Sequence, residues 1–247
     1  MKKKIGKVYL VGSGPGDPEL LTLKARRIMA MGDVILYDAL IDPAILNWAL
    51  PRAKKIHSGK RGQDRHSVPQ EKINAAMVKF AKQGKTVVRL KGGDPFLFGR
   101  GGEEAEFLAD KNVPFEVVAG VSSITAVPVC AGIPLTDRRV TAQLTVISGH
   151  LTSGKTAIDW KKISPKGTLV IAMGVSSLQK IIEKLLRLGW KKSVPVAGIC
   201  SGSTVQQQVV EGTLLSFLER ARSGEKFISS PALIVIGEVV RLRQRFF

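Results

Sequence analysis

Apolar positions along this chain fall into two alternating patterns. Short β-branched runs, such as Thr86 to Leu90, read as buried strands, and stretches with apolar residues three or four apart read as helices. Lys7 to Val11, Val34 to Tyr37, Lys54 to His57 and Pro114 to Val118 complete a first set of five strands. Between them lies a helix capped by Asp17, with Pro18 at its first position and Leu21, Ala25, Ile28 and Met29 on one face, ending at Gly32. A short helical segment follows over Pro43 to Ala49. Ser67 and Gln70 form a capping-box pattern for a helix with Ile73, Met77 and Phe80 on one side, closed by Gly84. Another helix starts near Glu103 and Glu104, whose carboxylates suit the positive end of its dipole. Five strands alternating with helices predict a parallel sheet with ligand groups gathered at its carboxyl edge.

The second half has a different texture. Leu144 to Ser148, Thr168 to Met173 and Ala232 to Gly237 read as strands, and Val194 to Cys200 and Val205 to Glu211 as an antiparallel pair. Leu178, Ile181, Ile182, Leu185 and Leu188 mark an amphipathic helix ended by Gly189, and Thr213 to Arg222 marks another. The chain therefore divides into α/β domains over 1–119 and 120–247, with a parallel five-stranded sheet first and a mixed sheet second. Val117 to Thr136 holds twenty uncharged residues, enough to span a bilayer, but its glycines, prolines and hydroxyls make it a strand end and a helix packed between domains.

Composition sharpens this. Cys130 and Cys200 stand alone, and His57, His66 and His150 lack helical pairing, so neither a disulfide framework nor a metal site is indicated, and the expected compartment is the cytoplasm. Met1 to Lys4 resembles the start of a signal peptide, but Lys7, Gly12 and Asp17 leave no apolar stretch behind it. The net charge of +18 implies an acidic partner: nucleic acid, an anionic membrane surface or a polyanionic small molecule.

Two glycine-rich loops carry the candidate chemistry. Gly12-Ser13-Gly14-Pro15-Gly16-Asp17 follows the first strand like a dinucleotide loop, with Asp33 or Asp38 spaced to bind ribose. Its spacing argues against that: Glu19 stands where a third glycine belongs, and Pro15 removes an N–H. The second loop runs Lys91-Gly92-Gly93-Asp94-Pro95-Phe96-Leu97-Phe98-Gly99-Arg100-Gly101-Gly102-Glu103-Glu104, with five glycines between positions 92 and 102. So many glycines cost backbone entropy, and their use is close approach to a ligand. Gly198-Ile199-Cys200-Ser201-Gly202 matches a nucleophile elbow only superficially, because strand signals flank it on both sides.

These motifs resemble the S-adenosylmethionine-dependent tetrapyrrole methylases, in particular the uroporphyrinogen-III C-methyltransferases that make precorrin-2. The resemblance runs from Val8-Tyr9-Leu10-Val11-Gly12-Ser13-Gly14-Pro15-Gly16-Asp17 through Tyr37-Asp38, Gly59-Lys60-Arg61, Arg89 to Glu104, Ala131-Gly132-Ile133-Pro134-Leu135-Thr136 and Met173-Gly174 to Ser230-Pro231-Ala232. It implies a two-domain α/β methyltransferase fold, not Rossmann-like, with the cofactor S-adenosylmethionine between the domains. It also implies a homodimer serving sirohaem or cobalamin synthesis. By position, Pro15, Gly92, Gly93, Asp94, Leu97, Ser122, Ser123, Met173 and Gly202 would hold the cofactor, and Asp38 and Lys60 take acid–base roles. The dehydrogenase/chelatase domain of fused sirohaem synthases has no counterpart here, which leads one to expect methylation only.

The sequence departs from the family pattern at Ala119-Gly120-Val121-Ser122-Ser123, where a backbone and a hydroxyl remain, and at Asp137, where histidine is common. A sulfonium methyl needs only an in-line carbon nucleophile, so positioning and electrostatics suffice and no nucleophilic triad is required. A disc-shaped substrate bearing eight carboxylates would engage basic residues, for which Arg61, Arg65, Arg100, Arg138 and Arg139 are candidates. RNA binding is the competing reading of the charge. Dispersed basic residues, 6% aromatics and no recognisable RNA module argue against it.

Overall fold

The computed structural model describes residues 4–58, 68–150 and 157–246. The chain divides into two units, Met1–Ser123 and Ile124–Phe247. In the first, β1 (Val8–Gly12), β2 (Val34–Tyr37), β3 (Lys54–His57), β4 (Val87–Lys91) and β5 (Phe115–Val118) form a wholly parallel sheet in the order β3-β2-β4-β1-β5. This is not the dinucleotide-binding order, in which β1 would lie beside β2; here β4 separates them.

Side chains alternate across each strand, and the two faces carry separate cores. Val11, Ile35, Val88 and Leu90 pack with Ala25, Ile28 and Met29 of α1 (Leu23–Met29). Val8, Leu10, Leu36 and Val87 pack with Met77 and Ala81 of α2 (Gln70–Lys82) and Leu108 of α3 (Gly101–Asp110). Arg89 and Lys91 share the face of Val87, so β4 sends two cations under α2 and α3.

Two helix starts differ from expectation. Asp17 caps a 3-10 turn over Pro18–Leu20, Leu21 reverts to extended backbone, and Thr22 then caps α1 by accepting the Ala25 N–H at 3.2 Å. Two capping side chains five residues apart thus split the expected single helix. At α2 the N-cap is Pro69 and no side chain caps the helix; Ser67 lies outside the described residues, and Gln70 turns elsewhere.

In the second unit β6 (Leu144–Ser148), β7 (Thr168–Ala172), β8 (Pro195–Cys200), β9 (Gln208–Thr213) and β10 (Ala232–Ile236) form a mixed sheet ordered β6-β7-β10-β8-β9. Only β6 and β7 pair in parallel. One face packs on α5 (Leu178–Arg187) and α6 (Leu214–Arg222), the other on α4 (Ser123–Cys130) and Val239, Val240. β9 starts later than the Val205 expected, because residues 201–206 form turns in which the Ser201 carbonyl accepts from the Thr204 hydroxyl at 2.7 Å. Cys200 is buried in the sheet, and its sulfur accepts the Ser229 N–H at 3.4 Å, a packing role. Among the described residues no helix is long and apolar enough to cross a membrane.

Candidate active site

The carboxyl edge of the first sheet is built from backbone held unusually close. A Cβ on Gly12 would lie 2.5 Å from the Gly120 Cα and from the Gly93 carbonyl oxygen, so the loops after β1, β4 and β5 meet where no side chain fits. Gly14 and Gly93 exchange backbone hydrogen bonds of 3.3 and 2.7 Å, and the Ser13 N–H donates to the Lys91 carbonyl at 2.8 Å. Asp94 ties these loops together: its Oδ2 accepts the Gly120 N–H at 3.0 Å and its Oδ1 the Phe96 N–H at 2.9 Å. Its carboxylate therefore shapes the loop.

Pro15, Gly92, Gly93, Asp94 and Ser122 thus gather on three adjacent loops, with Ser123 at the first position of α4 and Leu97 exposed just beyond. Gly93 sits at φ +64°, and a Cβ there would face the Ser123 nitrogen at 3.7 Å. A Cβ on Gly92 would meet nothing within 4 Å. Room beside a bare backbone is the cradle that a bound cofactor needs.

Behind this edge lies a buried polar cluster that the apolar pattern of β4 conceals. The side chains of Arg89 and Lys91 are each 3% exposed and that of Glu104 0%. Arg89 donates Nε to Glu104 Oε1 at 2.9 Å and Nη1 to the Ser58 hydroxyl at 3.1 Å; its Nη2 meets Asp38 Oδ1 at 2.6 Å. Lys91 Nζ approaches Glu104 Oε2 at 3.0 Å, a charge contact off the hydrogen-bonding direction. The Gln70 amide donates to Glu104 Oε1 at 2.9 Å and to Asn74 at 3.0 Å. Burial alone would lower the Arg89 pKa, but the adjacent Asp38 and Glu104 carboxylates raise it overall. Burial and the Arg89 charge push Lys91 below its usual value.

Arg89, Lys91, Glu104 and Ser58 were not among the sequence candidates. The available signal was two cations at i and i+2 in an otherwise apolar strand, which puts both on one buried face. Asp33 sits at the opposite edge, where its Oδ2 accepts the Thr86 N–H at 2.8 Å, so it faces no ligand at the carboxyl edge. Asp38 follows β2 at the carboxyl edge, its side chain 29% exposed.

Lys60, Arg61 and Arg65 lie outside the described residues. Arg100, at φ +56°, pairs with Glu103 through Nε at 3.0 Å, and Arg139 pairs with Asp137 at 2.9 Å. In both pairs the arginine is well exposed, so water screens the attraction and the contacts are weak. Arg139 holds the Asp137 carboxyl down to about 2. Arg138 is exposed. In the second unit Met173 directly follows β7 at φ +54°, a conformation rare for a side chain of its kind, and Gly202 packs against Val127. β7 and β8 both run antiparallel to β10, so Met173 and Gly202 fall on the same edge of that sheet.

Residues 7–217 match the model of the tetrapyrrole (corrin/porphyrin) methylases. The chain belongs to that family. A tetrapyrrole methylase fold also emerges from solved structures. The chain is 40% identical to a uroporphyrin-III C-methyl transferase from Thermus thermophilus complexed with S-adenyl homocysteine, with a TM-score of 0.81 and coverage of 96% of this chain and 94% of that one. A cobalt precorrin-4 methyltransferase, 24% identical with a TM-score of 0.79, shares the fold over 95% of each chain. Among curated relatives, the sirohaem synthase of Pseudomonas fluorescens (strain Pf0-1) is 46% identical over 241 residues, 97% of this chain and 51% of that protein. That of Azotobacter vinelandii is 46% identical over 244 residues, 98% and 52% respectively. This tetrapyrrole methylase spans about half the length of those relatives.

Proposed function

We propose that this chain is an S-adenosylmethionine-dependent C-methyltransferase that methylates uroporphyrinogen III at C2 and C7 to give precorrin-2, feeding sirohaem and cobalamin synthesis. The observation that carries the reading is the Gly92-to-Glu104 loop on a carboxyl edge with open space at Gly92, in a chain 40% identical to the Thermus enzyme. Pro15, Gly92, Gly93, Leu97, Ser122, Ser123, Met173 and Gly202 would hold the cofactor. Asp94 would serve by fixing the loop. When bound, the cofactor supplies a sulfonium methyl that an electron-rich pyrrole carbon can take by in-line displacement, its C–S bond breaking as the new C–C bond forms.

The methylated ring carries a positive charge until it sheds a proton. The Asp38 carboxylate accepts that proton and passes it to water. Lys60 grips a substrate carboxylate or donates a proton, and Arg61, Arg65, Arg100, Arg138 and Arg139 bind others. The same reading makes the protein a cytoplasmic homodimer. Anaerobic incubation with uroporphyrinogen III and S-adenosylmethionine should yield a product heavier by two methyl groups. No methylated product would overturn the reading. Methylation only of a later precorrin would favour a neighbouring enzyme of the family. Nanomolar RNA binding near physiological salt, falling linearly on a log–log salt plot, would favour an RNA methyltransferase of the same fold.

A further inference from the structure

The cluster behind the carboxyl edge holds two cations and two anions in a line, Lys91, Glu104, Arg89 and Asp38. Three are sealed from solvent, and Asp38 is the member whose side chain reaches it. A buried ion cluster of this kind is a poor way to stabilise a sheet, because well-packed apolar side chains of similar volume do as well or better. Its expense is explained if the exposed end has work to do.

We infer that Arg89 is a positioning residue for the proposed reaction, holding the Asp38 carboxylate in one place and orientation at the sheet edge. The inference rests on the assignment of Asp38 as the proton acceptor. A guanidinium is planar and rigid, so when Nε is committed to Glu104 and Nη1 to Ser58, the direction of Nη2 toward Asp38 is set. Glu104 is itself held by Gln70 of α2 and stands in the first turn of α3, directly after the glycine loop. The frame that fixes Asp38 is therefore continuous with the loop beside Gly92. No other chemistry is asked of Arg89: it stays charged, transfers no proton and contacts no ring.

A double-mutant cycle on the full chain tests this, using kcat, substrate KM and calorimetric affinity for S-adenosylhomocysteine. Arg89→Lys keeps the charge and loses the fork. It should lower kcat about 10- to 100-fold, the penalty of a misplaced catalytic group, with KM and S-adenosylhomocysteine affinity within about threefold of wild type. In an Asp38→Asn background the same substitution should cost less than about twofold, because the group it positions is gone. Equal losses in both backgrounds would make Arg89 a purely structural residue and overturn the inference, as would full kcat in Arg89→Lys. A silent Asp38→Asn in an enzyme that still dimethylates its substrate would overturn both the acceptor assignment and the positioning role. If Arg89→Lys does not fold, Asp38→Glu moves the carboxylate by one methylene at the exposed end and leaves the buried ions in place. It should lose kcat to the same extent, and full activity there would refute the requirement for a fixed position.

Discussion

Replacing Glu104 with glutamine removes one negative charge from the centre of the buried cluster while preserving shape. Oε1 can still accept from Gln70 and Arg89, but Arg89 and Lys91 are left facing a single anion, Asp38. Breaking a buried pair by removing one partner costs about 3–5 kcal/mol, a large share of the roughly 5–15 kcal/mol that holds a domain folded. The cluster has one outlet. Lys91 is already pushed below its usual value by burial and by Arg89, and Glu104 is a charge that opposes that shift. Without Glu104 its pKa falls further, so it can shed its proton and relieve the repulsion. The unfolded chain, with lysine near 10.4, then binds more protons than the folded one, and stability rises with pH toward that value. The deficit of Glu104→Gln should accordingly be largest near neutrality and narrow as pH rises toward about 10. Amide hydrogen exchange over peptides covering β4 reads this locally. At neutral pH, exchange limited by the opening equilibrium should accelerate by two to four decades, at about 1.4 kcal/mol per decade. An acceleration of less than about one decade, or a deficit that widens with pH, would refute the electrostatic account of the cluster.

Gly92→Val should abolish S-adenosylhomocysteine binding in calorimetry while leaving the fold intact, because its Cβ enters open space. Gly93→Val is the harsher test, since φ +64° disfavours any β-branched side chain, so lost thermal stability should accompany lost affinity. Glu116 bridges Lys7 at 2.7 Å and Lys24 at 2.6 Å, and these hydrogen-bonded cations hold its carboxyl down to about 2. Its folded pKa lies below the unfolded one, so its stabilisation is present above about 4.5 and fades as pH falls toward 2; acid unfolding of Glu116→Gln should be less steep there than in wild type. Lys60→Ala should raise substrate KM with kcat little changed if Lys60 grips a carboxylate, and lower kcat if it donates a proton; unchanged values of both would remove it from the site.

Much of the molecule is written locally. β-branched runs and helical periods mark β1 to β5, α2, α5 and α6 because one buried face leaves its period on a single element. The glycines of the Gly92-to-Glu104 loop mark it as unusual backbone, but not their separate uses: Gly99 and Gly101 let the loop close on the Pro95 carbonyl, whereas Gly92 borders open space. Alternation along β4 even places Arg89 and Lys91 on one face. What the chain could not declare is who meets them there. Asp38, Ser58, Gln70 and Glu104 come from four other segments, and a buried cation is tolerable only once all of them arrive together, a condition no local pattern records. The same holds for the loops after β1, β4 and β5: their glycines are visible in sequence, but only the strand order brings Gly12, Gly93 and Gly120 into contact. It likewise puts Asp33 at the far edge and leaves Asp94 holding backbone. Period and composition are properties of one segment, whereas a site is a property of several, and only packing decides which segments share an edge.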